Sequence, residues 1–256
     1  MDYLVFRLYG PMASWGDIAV GEARHSSIYP SKSAITGLLA AALGIDRADD
    51  AEHRHLAKGY WQATKVLRRG EILNDFHTAQ APDSVGKFRY RTRRDELVQG
   101  RSRLGTVLSR REYRSDAHVL VALHGLEGMP YPLTDLQQAL HKPKFHLYLG
   151  RKSCPLAAPV DAQCLSAADF KHALDQYTVK PLLDPKVVWA SDQRYLPADT
   201  SAHYCWEGSI DAFASEPEFD PRQVQSLVRY DQPLSRVRWQ FEPRTEYMWL
   251  AQAEAD

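Results

Sequence analysis

Residues 3–9 (YLVFRLY) alternate, with Leu4, Phe6 and Leu8 on one face and Tyr3, Val5, Arg7 and Tyr9 on the other. A period of two predicts a strand. Gly10-Pro11 ends it, a loop at 12–16 (MASWG) carries Trp15, and a second loop at 22–30 carries Arg24 and His25. Helical spacing then begins. Ile35, Leu38, Leu39, Ala42 and Leu43 fall at i, i+3, i+4, i+7 and i+8, with Ser31 or Ser33 as N-cap and Gly44 at the C-cap. Residues 49–59 read as a second, polar helix. Strands are expected at 61–68 and 72–78, joined by an Arg69-Gly70 turn, and at 117–124 (AHVLVALH). A short helix at 133–141 has Thr134 as its expected N-cap.

Beyond residue 156 the pattern weakens. A strand is expected at 160–165, a helix at 167–177 with Asp169 in its first turns, and short strands at 187–190 and 203–207. An acidic, proline-bounded loop follows at 216–221, and aromatic-rich strands at 237–241 and 247–251 flank a Glu242-Pro243-Arg244-Thr245 turn. The order up to 141 is β-α-(α)-β-β-arm-β-α, which is close to a ferredoxin-like split βαβ unit in an α+β fold.

Charge changes this picture in one place. Residues 87–114 hold ten Lys/Arg against Asp95, Glu96 and Glu112, a net of +7 in a chain whose total is zero. Lys87, Arg89, Arg91 and Arg93 alternate with Phe88, Tyr90 and Thr92, so strand geometry would place cations on one face and rings on the other. With Gly100 and Gly105 as turn signals, the stretch reads as a basic arm, a hairpin that grips nucleic-acid phosphates. The competing reading is a solvated loop whose arginines do nothing specific. The 256 residues, 44% hydrophobic and 25% charged, suit one large soluble domain or two small ones. The longest apolar run, 37–45, is too short to span a bilayer, and the N-terminus has no secretory pattern. Cys154, Cys164 and Cys205 fit neither a disulfide framework nor a zinc site, so reduced thiols in a cytoplasm are expected.

Catalytic templates mostly fail. G-x-S-x-G, a phosphate loop and H-E-x-x-H are all missing. His53 and His55 read as surface residues, Asp49-Asp50 as helix-start carboxylates, and Cys154, despite its basic neighbours, as a packed thiol. Metal-free RNA cleavage needs only an acid or base near a 2′-hydroxyl and cations on the phosphate. His77, Tyr113, His146 and Lys152 carry such groups, but the same side chains also bind RNA without cutting it.

Several blocks resemble one family. LYGPMASWG (8–16), YPSKSAITGLLAAALGI (29–45), DFHT (75–78), REYRSDA (111–117) and above all YLGRKSCPL (148–156) are similar to the CasD family, and EPRTEYMWL resembles its ending. The resemblance implies a repeat-associated (RAMP) fold: a ferredoxin-like core over 1–156, with a basic β-hairpin thumb at 80–115 and a glycine-bearing loop at 143–155, then a β-rich part over 157–256. It implies a non-catalytic, cytoplasmic subunit of a type I-E CRISPR Cascade, without cofactor or metal. Such a subunit holds the single-stranded 5′ handle of the CRISPR RNA. It caps the backbone filament and meets the large subunit of a complex that holds target DNA. The alternative is a metal-independent endoribonuclease, as in the type I-C branch. Residues 178–226 match nothing in the family pattern. For the RNA, Arg151, Lys152 and Ser153 with the backbone N–H groups around Gly150 would hold phosphates, flanked by Lys144, His146 and Tyr148. Trp15 (equally a core anchor) and Arg24 would border the groove, and Ser31 and Lys32 would offer a helix N-terminus. His77 and Arg111 would stand at the base of the arm, with Arg89, Arg91, Arg93, Arg101 and Arg103 clamping the strand.

Overall fold

The first strand, β1 (Asp2–Tyr9), is buried on both faces, which fits its apolar alternation. The computed structural model describes residues 1–19, 21–83, 89–183, 186, 192–213 and 219–252. Lys87 and Phe88 of the basic stretch, the strand expected at 187–190, and residues 216–218 of the acidic loop lie outside the described residues. After β1 come α1 (Lys32–Leu43), α2 (Asp50–Lys58), β2 (Tyr60–Arg68), β3 (Glu71–Pro82), α3 (Arg93–Val98), β4 (Leu104–Ser115) and β5 (His118–Gly125). Then follow α4 (Leu133–His141), β6 (Gln163–Ser166), α5 (Phe170–Gln176), β7 (Ser201–Trp206), β8 (Gln225–Ser235) and β9 (Gln240–Gln252).

A seven-stranded antiparallel sheet runs β6-β1-β5-β2-β7-β9-β8. On one face Leu4, Phe6, Leu8, Val119, Val121 and Leu123 pack with Ile35, Leu38 and Leu39 of α1 and Leu136 of α4. On the other, Tyr3, Val5, Leu120, Tyr204, Trp206 and Trp249 pack with Phe170 and Leu174 of α5. The C-terminal strands thus extend the same sheet that β1 begins. Among the described residues, no helix is long and apolar enough to cross a membrane.

Helix α1 follows its expected signals. Ser31 accepts from the Ala34 N–H at 3.2 Å, and Gly44 closes the helix at φ 78°. Five expectations need correction. The Arg69-Gly70 turn exists, but β2 and β3 do not pair across it: β2 joins the large sheet and β3 pairs with β4 along its whole length, from Glu71↔Ser115 to Pro82↔Leu104. The alternating arginines are not strand, because Thr92 and Asp95 form a capping box that starts α3 at Arg93. Helix α4 has Pro132, not Thr134, at its N-cap. The reversal near the C-terminus falls between β8 and β9, so Glu242 to Thr245 lie within strand β9. His53 is buried, its Nε2 3.2 Å from the Asp46 carbonyl.

Candidate nucleic-acid interface

The β3–β4 hairpin stands outside the large sheet, and most of its residues are exposed. Its base is gripped by the preceding loop: Met12–Ala13 pairs antiparallel with Ser115 and Arg114, and Ala23–Arg24 pairs parallel with Arg110 and Arg111. Glu112 fastens the grip, with an oxygen 2.8 Å from His25 Nδ1 and another accepting the Ser26 N–H at 3.1 Å. Burial pushes the Glu112 carboxyl up, but these hydrogen bonds outweigh it and hold the group below its ordinary value.

The ladder register puts Leu73, Asp75 and His77 on one face of the hairpin with Tyr113, Arg111 and Ser109 opposite them. His77 Nε2 is hydrogen-bonded to the Asp75 carboxylate. The other face carries Ile72 and Phe76, both exposed, with Arg114 and Arg110 opposite.

The 143–155 loop reaches this base. Its first part closes α1, with the Lys144 and Phe145 N–H groups donating to the Ala42 and Ala41 carbonyls at 3.0 Å. Leu147, Leu149 and Cys154 then turn into the core, while Lys152 and Ser153 point outward. At Gly150, φ is +84° and a Cβ would lie 1.8 Å from the Ser14 carbonyl oxygen, so only glycine lets this turn lie against the 12–16 loop. The Ser14 N–H donates to the Leu149 carbonyl at 3.0 Å. Arg151 completes the junction: its guanidinium stacks 4.7 Å from the Tyr113 ring centroid, and its Nη1 is 3.5 Å from the Glu112 carbonyl. The hairpin base and the basic turn therefore meet, with Arg24, Arg110, Arg111, Arg151 and Lys152 around them.

Not every expected residue belongs here. Trp15 is 3% exposed and packs in the core, so its ring is closed to a stacked base. The Ser31 hydroxyl is used as the α1 cap. Lys32 is buried: its Nζ lies 2.8 Å from both Glu207 carboxylate oxygens, and its N–H donates to Asp231 at 2.8 Å. The helix N-terminus already holds a carboxylate, which leaves no place for a phosphate. The Gly150 N–H is spent inside the turn, on the Tyr148 carbonyl at 3.2 Å. At the hairpin tip Arg93 pairs with Glu96 at 2.6 Å, while Arg89, Arg91, Arg101 and Arg103 are exposed.

The four groups proposed for cleavage do not assemble. His77 and Tyr113 are four ladder positions apart, about 13 Å along the strands. Tyr113 is covered by Arg151, and His146 lines a separate cavity of about 650 Å³ between the end of α4 and residues 156–161. Burial raises the Cys154 thiol, in keeping with a packed rather than a reactive cysteine.

Sequence reasoning missed a buried ion cluster beside α1. Arg244 donates to Asp231 at 2.6 and 2.9 Å and to Glu246 at 2.6 Å. Arg229 reaches the Tyr29 hydroxyl at 2.7 Å and Glu246 at 3.3 Å. With Lys32 and Glu207, three cations face three carboxylates. The trace in the sequence is charge at buried positions in or just beyond strands, Glu207, Asp231, Arg244 and Glu246, which apolar alternation does not single out.

Comparison with known proteins adds to this geometry. The family described as CRISPR-associated protein (Cas_Cas5) matches residues 3–247. The CRISPR system Cascade subunit CasD of Escherichia coli (strain K12) is 33% identical over 184 residues, 69% of this chain and 77% of CasD. A chain from a solved CRISPR RNA-guided surveillance complex is similar with a TM-score of 0.64 at 24% identity, covering 98% of this chain and 90% of that one. A solved Cas protein is similar with a TM-score of 0.61 at 26% identity, covering 98% and 96%. The sheet-rich mixed architecture is shared over nearly the whole chain.

Proposed function

Since the chain belongs to the CRISPR-associated Cas5 family, we propose that it is the Cascade subunit that holds the single-stranded 5′ handle of a CRISPR RNA without cutting it. The observation that carries this reading is the Arg151–Tyr113 stack, where the hairpin base and the basic 148–155 turn meet. Cations on a groove track a phosphate backbone, and half-exposed rings such as Tyr148 accept bases. In this reading β6-β1-β5-β2 is the ferredoxin-like unit and the β3–β4 hairpin is the thumb. The strand order within that unit, with first and third strands central, supports the assignment.

The exchange Arg151→Ala with Lys152→Ala is expected to weaken handle-RNA binding in mobility shifts. It should also flatten the salt dependence by about 0.7 in log–log slope for each phosphate that is no longer neutralised. Unchanged binding would count against the turn as an RNA site. The endoribonuclease reading draws on one observation, the His77–Asp75 pair on the same face as Arg111. In the same assay, with chelator present, repeat RNA should stay intact. Site-specific cleavage that disappears in His77→Ala would favour the enzyme.

A further inference from the structure

The turn between β8 and β9 displays a largely exposed aromatic ring, tilted against the Phe241 ring at 6.4 Å between centroids. Trp239 is 64% exposed and sits at φ 53°, a left-handed conformation that a bulky L-residue adopts only under strain. The turn is nevertheless held firmly. Asp50 accepts from the Ser235 hydroxyl and the Arg236 N–H, both at 2.6 Å, and the Arg238 N–H donates to the Ser235 hydroxyl at 3.1 Å. One face of the Trp239 ring is covered by the Arg47 guanidinium, 4.5 Å from its centroid. Arg238 is exposed beside it. Arg236 donates to the Ser33 carbonyl on α1, and its guanidinium lies within electrostatic reach of Arg47 and Tyr148. The turn thus lies near Tyr148 of the 143–155 loop.

We infer that Trp239, backed by Arg47, is a stacking platform for an unpaired nucleobase that extends the RNA track past Tyr148 to the β8–β9 turn. This rests on the RNA-binding reading above. A largely exposed ring backed by a cation suits a base, whose phosphate then meets Arg47 or Arg238. A protein hot spot would instead sit within a desolvated apolar patch, and here Arg47 and Arg238 flank the ring, beside the half-buried Phe241 ring at 6.4 Å and the exposed Val237. The held turn keeps the ring in place before RNA arrives, so little ordering entropy opposes the stack.

The test uses the full chain and a fluorescently labelled single-stranded RNA of the repeat-derived 5′ handle, read by anisotropy, with thermal midpoints alongside. Trp239→Ala is expected to weaken binding roughly 5- to 100-fold and Trp239→Phe much less. Trp239→Gly should lose affinity to the same extent while its midpoint holds or rises, because glycine relieves the positive φ. A ring that served the fold alone would instead lower the midpoint and leave the affinity of the folded protein unchanged, which overturns the platform. Wild-type affinity in Trp239→Ala, with loss in the Arg151/Lys152 double variant, overturns the platform and leaves the turn site standing. Wild-type affinity in both removes the RNA reading and the platform with it. Intact RNA binding in Trp239→Ala, with loss of co-purification with other Cascade subunits, makes the turn a protein contact and also overturns the platform.

Discussion

Gly150 makes the most demanding requirement of any single residue near the interface. Any side chain there meets both a left-handed φ and the Ser14 carbonyl oxygen. Gly150→Ala should therefore cost about 2–4 kcal/mol in urea unfolding and displace Arg151 from Tyr113. That a glycine mattered at this place was legible from the YLGRKSCPL block. Its reason was not, because the partner is backbone of a loop more than a hundred residues away. The same limit explains Trp15 and Lys32. A tryptophan in a loop and a lysine at a helix start look available to a ligand in one dimension. Only the packed structure shows the ring in the core and the ammonium on Glu207.

At the scale of elements, apolar period was a sound guide wherever it ran for a whole strand or helix, as in β1, α1 and β5. It failed where a short polar motif outweighed it. Thr92 and Asp95 turn an alternating basic run into a helix, because two satisfied backbone donors fix the local chain more firmly than a period of exposed charges. It also could not reveal that β3 leaves its neighbour in sequence for a partner some thirty residues on. The ion cluster binds α1 to β7, β8 and β9 in one unit. Lys32→Met removes one member and leaves Glu207 buried and half-paired, so a loss of about 3–5 kcal/mol is expected in thermal or urea unfolding. RNA affinity per folded molecule should not change, since Lys32 is buried and its ammonium is held by Glu207. A selective loss of RNA binding would return Lys32 to the interface.

For the molecule as a whole, one source of pH dependence is His118, which lies where the large sheet adjoins the hairpin and packs on Tyr9. Burial, with Arg7 nearby, pushes its imidazole down to about 4. The folded chain thus keeps this ring neutral, while the unfolded chain takes up a proton below its ordinary value of about 6.5. The stabilisation is complete above that ordinary value and is lost as pH falls toward 4, up to roughly 3 kcal/mol. His118→Phe keeps the ring packing, so its unfolding free energy should be flatter between pH 6.5 and 4; an unchanged slope would assign the acid response to other groups.

The Lys32–Glu207 pair also bears on how the chain is made, since its members are 175 residues apart. While the protein emerges from the ribosome, β2 has one neighbour, and the edge awaiting β7 is open. The ammonium of Lys32, 3.2 Å from the Tyr60 carbonyl at the start of β2, remains hydrated there until Glu207 arrives. A hydrated charge on an unfinished rim discourages pairing with another nascent chain. The residue that later anchors α1 to the end of β7 thus first guards the edge that β7 will cover.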